Sequence, residues 1–503
     1  MSLTRARVVG AVISMCALIA GREAAAAGAD GSWAPRCAAG TLGPDPAGRT
    51  LYVSTSGTDS TSPCPGAGHV FRTIKGAIAC ALDRDTIYVR GGTYAPDGII
   101  SRQFSARVLI TNYPSEEPVI DGSTPPVGDY NGVLWFQNSA NIAVQGLTIQ
   151  STGNTAPTTC PFSNGIYGVG GVGVRIDTSH DISLWNNTIQ DTARHGLLVQ
   201  GSQNLSVVGN IIQRTVRMNK DLVCNRIPAP NDSAVNIASS RGTLNSSNID
   251  FINNRVVDGW GECVIIATTD GGRINGNRVF TCVGTNIYVD KSRNLTVARN
   301  YISWYDARYY KLVGGVQHRA EAISLANENF TNATTGYSVN NIEISSNIIE
   351  NTDQGVHYFA WSFDGGTPDT YGNLKIVFND INNTVGSAIK IDQPTDAPPT
   401  GTNSIRRNVV FVAPSVTWQQ VLPSSYYSYW DVGPNEKYSD SNIGAIWTTP
   451  AGGSSDAYKV KAGSYVINQV SHATEPYIPV NDFFCATRRD HSASTSGAHE
   501  YGY

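Results

Sequence analysis

Two glutamates in the middle of the chain are the residues whose type and spacing could best support catalysis. Glu262, in WGEC, and Glu321, in HRAEA, each come directly before a short apolar segment of one repeated type, with one such segment between them. If these segments stack as layers, the two backbones lie two layers, or roughly 9.6 Å, apart. The acid and base of inverting glycoside hydrolases are separated by about 6.5–9.5 Å. The pair is therefore a candidate for hydrolysis, and turn capping is the alternative.

A second chemistry is suggested by Lys291, which lies in NIYVDKSRN beside Asp290 and Arg293. A lysine can remove the C5 proton of a uronic acid only when it is unprotonated near neutral pH, which requires burial or nearby positive charge. Arg293 could supply that charge, and so could Arg319 if it approached from the next layer, whereas Asp290 opposes the effect. An ordinary polar turn explains the same residues, so elimination and hydrolysis both stay open.

Further residues are candidates for ligand binding. Five of them lie on, or beside, the outward positions of the repeated segments: His195, Tyr288, Asp290, His357 and Lys390. The sixth, Trp304, lies in an insertion, where its flat ring could stack on a sugar. His195 could instead hydrogen-bond to Asp232, and the others could be ordinary surface residues. Two insertions, 213–232 and 303–321, enter the repeat from one side and could form the walls of a cleft or packed loop cores.

Internal repetition predicts the elements that position these residues. Asparagine recurs at positions 187, 210, 254, 277, 300, 347, 379 and 408, with 23 residues as the basic spacing. Each repeat also has a segment with apolar residues at alternate positions, at 173–177, 196–200, 234–238, 263–267, 286–290, 322–326, 355–359 and 388–392. Period-2 alternation at one coil length predicts an all-β, right-handed parallel β-helix, a single-stranded solenoid. We expect the asparagines to form an amide ladder at a corner where their own backbone is left-handed.

The same pattern predicts one interior column, formed by Val174, Leu197, Val235, Val264, Ile287, Ile323, Val356 and Ile389. Residues 71–82 predict an amphipathic helix that covers the first coil. We divide the chain into a signal peptide and cleavage region (1–30), an N-terminal cap with the first coils (31–125), the main β-helix (126–410), a C-terminal coil with an irregular cap (411–490) and a disordered tail (491–503).

Composition restricts the partners and the compartment. Residues 1–30 combine a basic start, an apolar run and small residues, which predicts a secreted protein. A formal charge of −4 excludes a strongly basic nucleic-acid binder. No other run is long enough to span a membrane, and we expect a monomer. Eight cysteines follow residue 30. They predict disulfides rather than zinc, with the pairs Cys64–Cys80, Cys160–Cys224 and Cys263–Cys282.

A family resemblance supports this fold. Residues 51–94, LYVSTSGTDS through DTIYVRGGTY, followed by the asparagine repeats, resemble the pectate-lyase-like β-helix superfamily over nearly the whole exported chain. That superfamily includes polysaccharide lyases, glycoside hydrolases, epimerases, esterases and non-catalytic adhesins, so the fold does not select the chemistry.

A narrower resemblance concerns one strand and turn. IYVDKSRNLTVARN, at 287–300, is similar to the chondroitinase B and alginate lyase family, in which the lysine at the place of Lys291 is the base. The resemblance also implies an arginine, for which Arg319 is the nearest match, and allows calcium as a cofactor. The acidic calcium ligands of that family are replaced here by Gly284 and Asn286.

Together these patterns predict a secreted enzyme that depolymerises a polysaccharide. β-Elimination on a uronic-acid-containing glycan is the first hypothesis. An inverting glycoside hydrolase of the same fold, or a non-catalytic glycan-binding adhesin, is the alternative. The catalytic candidates are Lys291, Glu262, Glu321 and Arg319, with no metal ligand assigned.

Overall fold

The structure is a computed structural model. It describes residues 41–60, 64–66, 68–123, 130–151, 171–222, 232–239, 246–313, 316–329, 338–362, 370–392, 398–413 and 415–438, with short pieces at 464, 470–471, 483, 493–494 and 498. The predicted signal peptide and the predicted Cys160–Cys224 pair lie outside the described residues.

Three long parallel sheets form the body, and each complete coil contributes one strand to each sheet. Strands are numbered in chain order. Sheet A contains β1 (Thr50–Val53), β2 (Val70–Phe71), β3 (Thr86–Val89), β6 (Gln103–Asn112), β9 (Ala140–Gln145), β12 (His180–Trp185), β15 (Gln203–Val208), β18 (Ser246–Ile252), β21 (Thr269–Asn275), β24 (Arg293–Ala298), β29 (Asn340–Ser345), β32 (Gly372–Val377), β35 (Asn403–Arg406) and β38 (Trp430–Val432).

Sheet B contains β4 (Gly92–Tyr94), β7 (Pro118–Asp121), β10 (Thr148–Gln150), β13 (Thr188–Gln190), β16 (Ile211–Thr215), β19 (Arg255–Gly259), β22 (Arg278–Cys282), β25 (Tyr301–Ser303), β30 (Ile348–Glu350), β33 (Asp380–Asn382), β36 (Val409–Phe411) and β39 (Glu436–Tyr438). Sheet C contains β5 (Ile99–Ile100), β8 (Gly132–Gln137), β11 (Val172–Asp177), β14 (Leu197–Gln200), β17 (Ser233–Ala238), β20 (Glu262–Ala267), β23 (Thr285–Asp290), β28 (Glu321–Asn329), β31 (Val356–Ser362), β34 (Ile389–Asp392) and β37 (Gln419–Leu422). The predicted all-β, right-handed parallel β-helix is confirmed.

The core lies inside the coil, between the three sheets. All eight residues of the predicted interior column are fully buried, and the sheet C register stacks them directly on one another. Burial of each such aliphatic side chain contributes about 1.5–3 kcal/mol. Since side chains alternate along a strand, the neighbouring residues of sheet C necessarily face outward.

The predicted asparagine ladder runs along a corner between sheets A and B. The side-chain oxygen of Asn277 accepts from the backbone N–H of Asn254 at 2.8 Å, and its amide donates to Phe251 O at 2.8 Å. The pattern continues to Asn435, which the internal repeat in the sequence did not predict. The predicted conformation was wrong, because the left-handed residue is the one before each of the eight predicted asparagines, such as Asn253 (φ 55°) or Gly276 (φ 67°). The asparagine itself closes the hydrogen bonds of the turn.

The N-terminal end is covered by helix α1 (Ile74–Cys80), which Thr73 caps by accepting from Gly76 N at 2.9 Å. Two predicted disulfides are present, Cys64–Cys80 and Cys263–Cys282. Two 3₁₀ helices, Arg217–Leu222 and Ser424–Tyr429, and one antiparallel hairpin of β26 (Lys311–Val313) and β27 (Val316–His318) complete the elements of the body. A short pair, β40 (Val470–Ser471) with β41 (Ala493–Ser494), reaches into the tail that was predicted to be disordered.

Candidate active site

The outward face of sheet C carries a cluster of ionisable side chains on the coils of β20, β23, β28, β31 and β34. The register places Glu262, Thr285 and Glu321 at the same position of three successive strands. The two glutamate backbones are therefore two coils, or roughly 9.6 Å, apart. The structure thus brings the two glutamates onto one face, as expected from the repeat.

Glu321 lies at the bottom of this cluster, where its side chain is only 10% exposed. Ser324 Oγ donates to Glu321 Oε2 at 2.6 Å, and His357 Nδ1 lies 3.1 Å from the same oxygen. Lys311 Nζ is 3.4 Å from the other oxygen, Oε1. Burial alone would raise the pKa of Glu321, but these donors and charges lower it to about 2. Glu321 is therefore a carboxylate throughout the neutral range.

Glu262 has the opposite environment. It is half-buried, and among the described residues it has no hydrogen-bond partner. Burial, and next the charges of Glu328 and Glu321, raise its pKa to about 8, although Lys311 works in the other direction. Glu262 is therefore a protonated acid at neutral pH. Two carboxyl groups whose pKa values are driven apart are the usual arrangement of an acid and a base.

His357 connects Glu321 to the following coils. Its Nε2 lies 3.3 Å from Asp392 Oδ2, and Lys390 Nζ lies 2.5 Å from that same oxygen. Burial would lower the pKa of His357, but hydrogen bonds with Asp392 and Glu321 raise it overall. An imidazole between two carboxylates donates from both nitrogens in its cationic form. His357 thus holds Glu321 in place and balances its charge.

The other side of Glu321 is acidic and aromatic. Asp290 Oδ1 accepts from the backbone N–H of Glu328 at 3.0 Å, and Glu328 hydrogen-bonds to the Tyr288 hydroxyl. Burial raises the pKa of Asp290 and of Glu328. The rings of Tyr288 and Phe359 stack at 6.2 Å with an interplanar angle of 18°. This stack is a partly exposed apolar surface beside the carboxyl pair.

Lys291 lies in a buried turn at the end of β23. Its side chain is buried, with 2% exposure, at the turn that follows β23, and its backbone is left-handed (φ 44°). Arg319 precedes β28, where it stacks on Trp304 at 5.7 Å and donates to Asn383 O at 3.4 Å. Because β23 and β28 run parallel, Lys291 and Arg319 lie at opposite ends of the sheet. The expected approach of Arg319 to Lys291 is therefore not found.

Two predicted binding residues belong to the interior of loops rather than to the open face. His195 is 3% exposed, accepts from Ser233 N at Nδ1 (3.1 Å), and lies with Nε2 3.1 Å from Asp232. Trp304 donates from Nε1 to Tyr309 O, and Tyr309 packs on Trp260 with a ring separation of 4.4 Å. The aromatic insertion forms a packed loop core at these residues.

Calcium does not fit the described residues. Gly284 and Asn286 stand where the resembled family has acidic ligands, and the described part of the chain has no group of three or more histidine, cysteine, aspartate or glutamate side chains placed to hold a metal ion. We derive no step through a metal.

Sequence reasoning missed Lys311, Ser324, Glu328 and Asp392. Ser324 and Asp392 stand at outward positions of repeated strands, so the alternation could have identified them. Lys311 comes from the β26–β27 hairpin, and Glu328 comes from the part of β28 that extends beyond the repeat. Neither of these two positions carries a periodic signal.

The three stacked sheets define the fold of this chain as a right-handed parallel β-helix. Residues 173–307 match a family described as "Right handed beta helix region". No curated protein matches the chain at a significant level. None of the helices in the described ranges is long and apolar enough to cross a membrane.

Several solved structures are similar to the chain at low identity. The pectate lyase Pel9A is 13% identical with a TM-score of 0.44, covering 90% of this chain and 96% of its own. XylC, solved with xylose, is 9% identical with a TM-score of 0.49, covering 90% and 98%. PfbA, a surface adhesin of Streptococcus pneumoniae, is 13% identical with a TM-score of 0.48, covering 70% and 82%.

Proposed function

We propose that the protein is a glycoside hydrolase of the inverting type, with Glu262 as general acid and Glu321 as general base. The observation that carries this proposal is the placement of two carboxyl groups two coils apart on one face, one with no hydrogen-bond partner among the described residues and one held by three donors. Their roughly 9.6 Å backbone separation fits inversion once the side chains lean together.

The chemistry follows from the two protonation states. Glu321 accepts a proton from a water molecule as the water oxygen forms a bond to the anomeric carbon. The bond between that carbon and the glycosidic oxygen breaks, and Glu262 donates its proton to the leaving oxygen. Positive charge that develops on the sugar ring is stabilised by the ionised Glu321. His357 and Ser324 keep the base oriented, so they are positioning residues.

The first sequence hypothesis, β-elimination, has less support. It requires the Lys291 ammonium group to lose a proton and to reach a sugar ring, whereas this side chain is 2% exposed. The role of Lys291 as a base stays a prediction, and its burial counts against it. Glycan binding without turnover needs neither glutamate in a special state, so it leaves the contrast between Glu262 and Glu321 unexplained.

An extracellular location fits this function. The disulfides Cys64–Cys80 and Cys263–Cys282 both close within the body of the β-helix. Disulfides form and persist mainly in oxidising compartments. We therefore propose secretion, which N-terminal sequencing of the exported protein would test.

The decisive experiment compares Glu262→Gln and Glu321→Gln with the wild type on a panel of polysaccharides. We expect new reducing ends without ultraviolet absorbance of unsaturated products, and a loss of roughly 10²–10⁴-fold in kcat for each variant. The exposed Glu117 provides the matched control, and Glu117→Gln should keep full activity. NMR of the first product should show the inverted anomer. Unsaturated products, or full activity in both variants, would overturn the proposal.

A further inference from the structure

We infer that the site takes a neutral glycan and rejects chains of uronic acids; the inference rests on the proposed function and names its substrate class. The geometry behind it is that the cations of sheet C and of the β26–β27 hairpin near the cluster are already paired with carboxylates of the protein. Recognition of a uronate needs a cation, or a set of donors, that is available to the substrate carboxylate.

The cations of this face are already held by carboxylates of the protein. Lys390 lies 2.5 Å from Asp392, and His357 bridges Asp392 and Glu321. On the hairpin, Lys311 lies 3.4 Å from Glu321. A substrate carboxylate would have to compete with these partners.

Two other basic residues in the described part of this region, Lys291 and Arg319, point elsewhere. The Lys291 side chain is buried under the turn after β23, and its charge acts on the adjacent Asp290. The Arg319 guanidinium lies against Trp304 and donates to Asn383 O at the opposite corner. Neither residue presents its charge to the surface between Glu262 and Glu321.

The rest of the cluster is acidic. Glu262 begins β20, whereas Asp290 and Glu328 lie toward the other ends of β23 and β28, and the charge of Glu328 disfavours ionisation of both Glu262 and Asp290. An additional carboxylate from a uronic acid would be repelled here by the same charges. The unfavourable effect is large because the groups are shielded from water.

A neutral sugar has what this surface lacks. Its hydroxyl groups can donate to the carboxylate of Asp392, whose side chain is 30% exposed. The Tyr288 and Phe359 rings offer an apolar surface beside the acid. Hydroxyl donors with an apolar ring face are the features of an uncharged hexose or pentose unit.

The test uses polymers that differ only in the carboxylate. Polygalacturonate and alginate are compared with the same polymers after chemical reduction of their carboxyl groups, with reducing ends as the readout. We expect cleavage of one or more carboxyl-reduced polymers, and at least tenfold slower cleavage of the parent acids. Equal or faster cleavage of the acids, without unsaturated products, would overturn the substrate class and leave the proposed hydrolase intact. Unsaturated products would overturn both.

A binding measurement keeps the inference separate from catalysis and extends it to other linkages. The Glu262→Gln variant is run in native gels that contain neutral xylan, neutral β-glucan, the reduced polymers or the parent acids. Retardation by neutral polymers only supports the inference, even if no polymer is cleaved. Retardation by the acids, or by no polymer, overturns it.

A charge variant addresses the mechanism of rejection. Asp392→Asn removes the carboxylate that holds Lys390, so the ratio of acidic to neutral binding should rise about tenfold. Lys390→Gln in the same background should restore the original ratio. An unchanged ratio in Asp392→Asn would contradict the role of cation pairing.

Discussion

Two stretches beside sheet C, one in the interior of loops and one on the open face, bury charge in opposite ways. On the coils of β14 and β17, Arg194 is fully buried, donates to Asp232 at 2.8 Å and lies over the Tyr130 ring at 3.9 Å. His195 lies 3.1 Å from the second oxygen of Asp232. Both carboxylate oxygens are therefore matched, meaning that each has a donor of opposite charge or a hydrogen-bond partner. On the coils of β20 and β28, Glu321 is matched in this sense and Glu262 is not.

The difference indicates which buried charges belong to the structure and which are candidates for chemistry. A matched network holds one protonation state and stabilises the loops around it. An unmatched acid beside a matched one has its pKa displaced toward the working pH, as at catalytic sites.

The largest effect is expected when the matched stretch is broken. Arg194→Met should lower the free energy of unfolding by about 3–5 kcal/mol, because it leaves Asp232 buried without its guanidinium. Denaturant unfolding provides the measurement. Arg273→Met is the matched control, since its ion pair with Asp250 at 2.5 Å is half-exposed and should contribute about 0–1 kcal/mol. Equal effects of the two variants would remove the distinction drawn above.

In the unmatched stretch, replacing Glu262 should instead stabilise the protein at alkaline pH. The folded protein holds a proton on Glu262 up to about pH 8, whereas an unfolded glutamate releases it near its ordinary pKa of 4.5. Stability is therefore fully retained below pH 4.5 and declines as the pH rises through 8. At pH 9, the free energy of unfolding of Glu262→Gln should exceed that of the wild type by on the order of a few kcal/mol. The variant should therefore unfold at a higher temperature. A lower melting temperature for the variant at pH 9 would contradict this assignment.

Loss of His357, which connects Glu321 to the following coils, should have an intermediate effect on kcat. His357→Gln removes the cation that helps keep Glu321 ionised, so the pKa of Glu321 should rise. We expect about a tenfold loss in kcat, equivalent to about 1.4 kcal/mol, and a shift of the acidic limb of kcat/KM to higher pH. Glu262 governs the alkaline limb, which should stay near pH 8. A uniform loss across all pH values would indicate a purely structural role.

The smallest effect on turnover is expected at Lys291. A catalytic base contributes about 10²–10⁴-fold, whereas Lys291→Gln should change kcat by less than about tenfold if the lysine is only a turn residue. Steady-state kinetics on the same substrate measures this, with circular dichroism to verify folding. A folded variant that has lost turnover would restore the elimination hypothesis.

The sequence was sufficient for the fold, because a repeat displays its period many times. Alternation at 286–290 and its counterparts predicted the interior column, and the recurrent asparagines predicted the ladder. Glu262 and Glu321 were found because they hold equivalent positions in that period. Their different environments were not predictable, since Lys311 and Glu328 come from non-repeating segments. The burial of Lys291 was not predictable for a related reason, because a local motif does not reveal whether a side chain is covered.

The stacking of sheet C has a final consequence for how such a site could change. In a solenoid, the spacing between two side chains on one column is an integer number of coils, each of roughly 4.8 Å. One step approaches the approximately 5–5.5 Å carboxyl separation of retaining glycosidases, and two steps approach that of inverting ones. Duplication or loss of a whole coil between Glu262 and Glu321 would leave the body intact. The fold thus restricts the separation of the two carboxyl groups to multiples of one coil, and gaining or losing a coil would change the stereochemistry that the site supports.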